Sequence, residues 1–82
     1  HGIGRQLHED PVVNNQGRPG AGVRLEAGMV LAIEPMVAMG DGDIIQLPDE
    51  SYSTKDKSLS AHWEETVAIT DKGPLVLTEK DI

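Results

Sequence analysis

The sequence predicts a small, mostly antiparallel β fold with almost no helix. Three features carry that expectation. Residues 29–39 are apolar on both alternating faces, as in a buried strand. Residues 61–70 read as a second long strand. Clusters of Gly, Pro, Asn and Asp between and around them mark turns.

Taken in order, the opening His1-Gly2-Ile3-Gly4-Arg5-Gln6-Leu7-His8-Glu9-Asp10-Pro11 holds two glycines close together and then a proline. In a regular strand, positions seven apart point to opposite faces. His1 and His8 therefore meet only if the backbone turns or bulges between them, which Gly2 and Gly4 permit. Pro11 biases Asp10 towards an extended conformation. Residues 14–22 are a surface loop on turn chemistry, and no Gly-Lys-Ser/Thr follows to make it a phosphate loop. Leu25-Glu26-Ala27-Gly28 is a short turn into the central run. There Val30, Ala32 and Glu34 share one face, and Met29, Leu31 and Ile33 the other. Pro35 removes a backbone donor and restrains Glu34 to extended dihedrals.

Gly40-Asp41-Gly42-Asp43 reads as a hairpin connection to a short apolar patch at Ile44, Ile45 and Leu47. Its Asp-Gly-Asp lacks the downstream ligands of a calcium loop. Residues 48–51 are another turn, 52–55 a brief strand, and 56–58 a further turn. In the second long strand His62, Glu64, Thr66 and Ala68 line one face, and Trp63, Glu65, Val67 and Ile69 the other. Residues 71–74 turn the chain into a last short strand at 75–77. Three or four antiparallel strands result.

Eighty-two residues make one small domain at most, and a chain of this size buries only about 60–65% of its unfolded surface. With no Phe, one Trp and one Tyr, the core must rely on Val, Ile, Leu, Met and Ala. The absence of Cys removes disulfides and thiolate chemistry and fits a reducing compartment, so a cytoplasmic location is expected. No apolar run approaches the ~20 residues needed to cross a bilayer, and no membrane partner is expected. A formal charge of −7 argues against direct nucleic-acid binding, which needs clustered Lys and Arg. The chain begins at His1 with neither an initiator Met nor a leader, and it reads as a piece of something longer.

Glu34 stands inside the most apolar run of the sequence. Burying an ionised acid there costs roughly several kcal/mol unless a cation or fixed hydrogen bonds offset it. Candidate co-ligands flank it in sequence: His1 and His8 before, Glu64 after. Glu34 is therefore read as a metal ligand and the chain as one side of a metal site. Imidazole and carboxylate donors suit Mn, Fe, Co or Zn. With no Cys, and no Ser placed beside a His–Asp pair, acyl-enzyme chemistry has no support.

Together these segments resemble type I methionine aminopeptidases. The resemblance rests on His1-Gly2-Ile3-Gly4-Arg5 with His8-Glu9 and Pro11, and on Gly28-Met29 leading to Ile33-Glu34-Pro35-Met36. It extends through Ser58-Leu59-Ser60-Ala61 with Trp63-Glu64 and Thr66-Val67, to Thr70-Asp71-Lys72-Gly73 and Leu77-Thr78. It implies an α+β pita-bread (creatinase/aminopeptidase) fold, of which this chain is the mostly antiparallel-β C-terminal part. Residues 1–82 would then be the C-terminal portion of a single methionine aminopeptidase catalytic domain. It further implies two divalent metal ions (Co, Mn, Fe or Zn) on five protein ligands. Three of those match His1, Glu34 and Glu64, and the other two are aspartates expected upstream of residue 1. His8 matches a catalytic histidine that contacts substrate, and the resemblance implies that Glu34 would also move the water's proton to the leaving amine. Leu7 falls where the family often lines the methionine pocket with an aromatic residue, and Tyr52 is a candidate for a second aromatic slot there. Ala32 replaces a commoner Thr, and Glu65 a usual His.

The implied activity is removal of N-terminal methionine from nascent polypeptides, with the upstream half of the same protein as the necessary complement. The isolated chain is expected to be inactive, with exposed strand edges that invite self-association. A non-catalytic pita-bread module that binds peptides or a partner is one alternative. An Xaa-Pro aminopeptidase relative is another.

Overall fold

Residues 29–39 and 59–69 run antiparallel in one register from end to end. In the computed structural model, which describes residues 1–79, Gly28 N–H donates to Ile69 O and Ile69 N–H to Met29 O, both at 2.8 Å. Strand β1 (Val30–Ile33) pairs with β6 (Glu65–Thr70) from Val30↔Ala68 to Ile33↔Glu65. Strand β2 (Met36–Ala38) pairs with β5 (Ser60–His62) from Met36↔His62 to Ala38↔Ser60. Met39 N–H then donates to Leu59 O at 2.9 Å. The ladder breaks only around Pro35, which has no N–H to give; across the gap Trp63 N–H still reaches Pro35 O at 3.2 Å. Each of the two expected long strands is thus divided into halves at the level of Glu34.

Two shorter pieces complete the architecture. The hairpin of β3 (Ile44–Gln46) and β4 (Tyr52–Thr54) stands as its own two-stranded sheet, and β7 (Gly73–Val76) adds to the far edge of β6. Seven short strands replace the three or four expected, with no helix among the described residues. Residues 40–43 do not close a hairpin, because β2 turns away to pair with β5 while β3 pairs with β4. That connection is instead gripped by Asp56. Its carboxylate accepts from the backbone N–H groups of Asp41 (3.1 Å) and Ser58 (2.9 Å). The Ser58 side chain, the Ser58 N–H and the Asp41 N–H, in that order, hold the Asp56 carboxyl below its ordinary value of 3.8. Ser58 Oγ is sealed from solvent without a hydrogen bond of ordinary geometry, so the two backbone donors are the firm part of this grip.

The opening segment supplies a further edge to the main sheet. Gly2 bridges Leu31, Ile3 N–H donates to Val30 O (3.0 Å), and Ala32 N–H donates to His1 O (2.7 Å). Gly2 also bridges Glu9, so residues 4–8 fold back as a tight loop. A Cβ on Gly2 would collide with the Asp10 carbonyl, which makes glycine obligatory at the point where the chain returns.

The central run is less buried than its composition implies. Among the described residues only Leu31 and Ala32 are buried apolar side chains, whereas Met36, Val37 and Met39 are 67%, 64% and 81% exposed. Accessible surface totals 7289 Å²; a folded protein of 8.8 kDa is expected to expose roughly 4,800 Å². The surplus, about 2,500 Å², is of the size that large obligate interfaces cover. We therefore expect the 82-residue chain by itself to self-associate, with light scattering giving a mass above 8.8 kDa. A monodisperse monomer at micromolar concentration would contradict this.

Candidate metal centre

Because the register is continuous through the break, Glu34 stands directly opposite Glu64, between the Ile33↔Glu65 and Met36↔His62 pairs. Two carboxylates in such a cross-strand position repel one another. His1 joins from the next strand over, since the Gly2–Leu31 bridge sets His1 beside Ala32, on the Glu34 face. Three separate stretches of chain thereby converge. One donor atom each from His1, Glu34 and Glu64 lies within 4.8 Å of the others, a group that could hold a metal ion. His1 and Glu34 are half-buried and Glu64 is exposed.

The hydrogen bonds of His1 show what the group needs. Its Nδ1 lies 2.7 Å from Gly2 O, which can only accept, so Nδ1 carries the proton. In the neutral ring, Nε2 then presents a lone pair, and it faces Glu34 Oε2 at 2.8 Å. Two electron-pair donors at that spacing require something positive between them, a second imidazole proton or a cation. Ligand bonds of ~2.0–2.2 Å put neighbouring donors of one ion about 3 Å apart, so a metal fits. Anchoring Nδ1 on a backbone carbonyl is also how metal-binding imidazoles are usually oriented. The donor set of one nitrogen and two carboxylates suits Mn, Fe, Co or Zn.

The remaining site candidates are placed differently. The His8 ring stands 4.3 Å from the His1 ring, centroid to centroid, brought there by the tight loop over residues 4–8. An open depression lined by His1, Gln6, His8, Glu9, Asp10 and Val12 adjoins both. Leu7 is 69% exposed and Tyr52, on the separate hairpin, 66% exposed; neither lines that depression. One residue near the centre received no role from the sequence. His62 Nε2 lies 3.9 Å from the second oxygen of Glu34. Its signal was available, because His62 shares the Glu64 face two residues earlier.

Comparison with known proteins gives this geometry its context. Residues 1–71 match metallopeptidase family M24. The chain belongs to that family. It is 54% identical over 79 residues to methionine aminopeptidase 1 of Mycobacterium tuberculosis, covering 95% of this chain and 30% of that protein. To the methionine aminopeptidase of Clostridium perfringens it is 60% identical over 79 residues, covering 95% and 32%. Among solved structures, it superimposes on methionine aminopeptidase from Thermotoga maritima with TM-score 0.90 at 49% identity. That match covers 98% of this chain and 32% of that one. The Rickettsia prowazekii enzyme gives TM-score 0.90 at 42% identity, covering 96% and 33%. The fold is thus the all-strand part of the α+β pita-bread architecture. The chain spans about a third of the length of the relatives it matches.

A cross-strand pair of acids is a liability wherever no cation lies between them. Glu64→Gln should raise the melting temperature of the metal-free protein slightly, by the few tenths of a kcal/mol that such pairs are worth. The same change should abolish the stabilisation that added Mn²⁺ gives. Melting curves with and without Mn²⁺ check both halves, and a variant still stabilised as strongly as the parent would contradict the assignment.

Proposed function

We propose that residues 1–82 are the C-terminal portion of a single methionine aminopeptidase catalytic domain. In this reading the complete domain removes N-terminal methionine from nascent polypeptides in the cytoplasm. The observation that carries the reading is the convergence of His1, Glu34 and Glu64 on one point in an M24 chain. His1, Glu34 and Glu64 would hold divalent metal, and an upstream part of the same polypeptide would supply two aspartates to complete a two-ion centre. When bound, the metal would supply Lewis-acid polarisation of the scissile carbonyl and would lower the pKa of a water towards neutrality.

The chain's own residues do the rest. Glu34 takes a proton from the attacking water as the C–O bond forms and the carbonyl π pair moves onto oxygen. It then delivers that proton to the amine nitrogen, whose C–N bond breaks as the carbonyl re-forms. The Glu34 carboxylate suits that traffic because it stands at the break in the ladder, where Pro35 restrains its backbone. His8, beside His1, donates a hydrogen bond to the carbonyl oxygen as negative charge develops on it. Leu7, next to His8 in the loop, would border the methionine side chain. Tyr52 is the weaker candidate for that pocket, given its place on the separate hairpin.

In the complete domain, Glu34→Gln should lower kcat on a Met-peptide by roughly 10²–10⁴-fold, the usual worth of a positioned general base. Its metal-free melting temperature should stay close to that of the parent. A panel of Met-, Leu- and Xaa-Pro-peptides should show cleavage only after Met. Cleavage confined to Xaa-Pro peptides, or a Glu34→Gln variant of parental activity, would overturn the proposal.

A further inference from the structure

The Glu34 carboxylate is flanked by two imidazoles, one on each of its oxygens. Oε2 faces His1 Nε2 at 2.8 Å, while Oε1 faces His62 Nε2 at 3.9 Å. His62 closes β5, pairs with Met36, and stands diagonally across the ribbon from Glu34 on the face the acids occupy. Its half-exposed ring makes no other polar contact among the described residues. It is also outside the cluster of converging donors formed by His1, Glu34 and Glu64.

We propose that His62 is a positioning residue for Glu34, its Nε2–H holding Oε1 so that Oε2 stays turned towards the point it shares with His1. The inference rests on the metal centre proposed above and adds a residue to it. A carboxylate that binds an ion through one oxygen keeps lone pairs on the other and remains free to rotate about its terminal bond. Ligating carboxylates are for that reason generally hydrogen-bonded in turn. At 3.9 Å the two atoms are neighbours but farther apart than a hydrogen bond allows, so holding Oε1 requires the contact to shorten when the centre is loaded. His1 cannot do this work, because its Nδ1 is committed to Gly2 O and its Nε2 to the other oxygen. Glu64 cannot do it either, since an ionised carboxylate has no proton to donate.

The test is Co²⁺ titration of the complete domain, read by affinity and by the visible absorption of the bound ion, for the parent, His62→Leu and His62→Gln. Glutamine keeps an N–H donor and lacks the ring nitrogen lone pair; leucine lacks both. We expect His62→Leu to weaken Co²⁺ binding by roughly 10–100-fold and to alter the absorption band, with His62→Gln restoring most of the affinity and the parental spectrum. His62→Phe, which keeps the ring volume without the donor, must match the leucine variant; metal-free melting temperatures show that each variant is folded. Parental affinity and spectrum in the leucine and phenylalanine variants would overturn the proposal. Equal losses in the leucine and glutamine variants would do the same, by making His62 a ligand. A parent domain that binds no Co²⁺ would instead remove the metal centre itself.

Discussion

Two acids facing each other across a β-ladder are the constraint on which the rest of this structure depends. Glu34 and Glu64 occupy opposed positions in an antiparallel ribbon whose register is unbroken on both sides. Cross-strand like charges are unfavourable, and nothing in the backbone relieves them. The arrangement makes sense only with positive charge at the site, and the flanking residues are placed to share it. His1 arrives with one ring nitrogen tied to a carbonyl and the other aimed at Glu34. His62 approaches the remaining oxygen of the same carboxylate.

The surrounding sequence can be understood as support for that pair. Pro35 withholds an N–H, so the ladder opens beside the acids and not elsewhere along the ribbon. Gly2 lets the opening segment return on itself, which sets His8 against His1 and leaves no room for a side chain at the crossing. Asp56 ties the connections at the far end of the ribbon through the amides of Asp41 and Ser58. What the chain does not provide is cover. With Leu31 and Ala32 as its buried apolar residues and Met36, Val37, Met39 and Trp63 exposed, it has the surface of one side of a larger body.

Much of this was legible in the residues. The face assignments placed Val30, Ala32 and Glu34 together, and His62, Glu64 and Thr66 together, and the ladder pairs those two faces as read. The need for a backbone turn between His1 and His8 was likewise visible in Gly2 and Gly4, and the chain does turn there. Register was not legible, because strand periodicity says which residues share a face and not which residue lies opposite. The direct opposition of Glu34 to Glu64, and the approach of His62 to Glu34, depend on that register and so are carried by the fold and not by either strand's pattern. The hairpin expected at residues 40–43 failed for a related reason. Turn chemistry marks a reversal but does not choose the strand's partner, and β2 is taken by β5. Burial of residues 36–39 was overestimated because apolar composition cannot say whether the covering surface lies within the same stretch of chain.

The most direct test of the central claim is the anomalous diffraction of Zn²⁺ in crystals of the complete domain. The account predicts a peak about 2.0–2.2 Å from His1 Nε2 and from an oxygen of Glu34, with a Glu64 oxygen in the coordination sphere of that ion or its neighbour. Density showing Glu34 and Glu64 still opposed with no ion between them, or Zn²⁺ bound elsewhere in the domain, would contradict it.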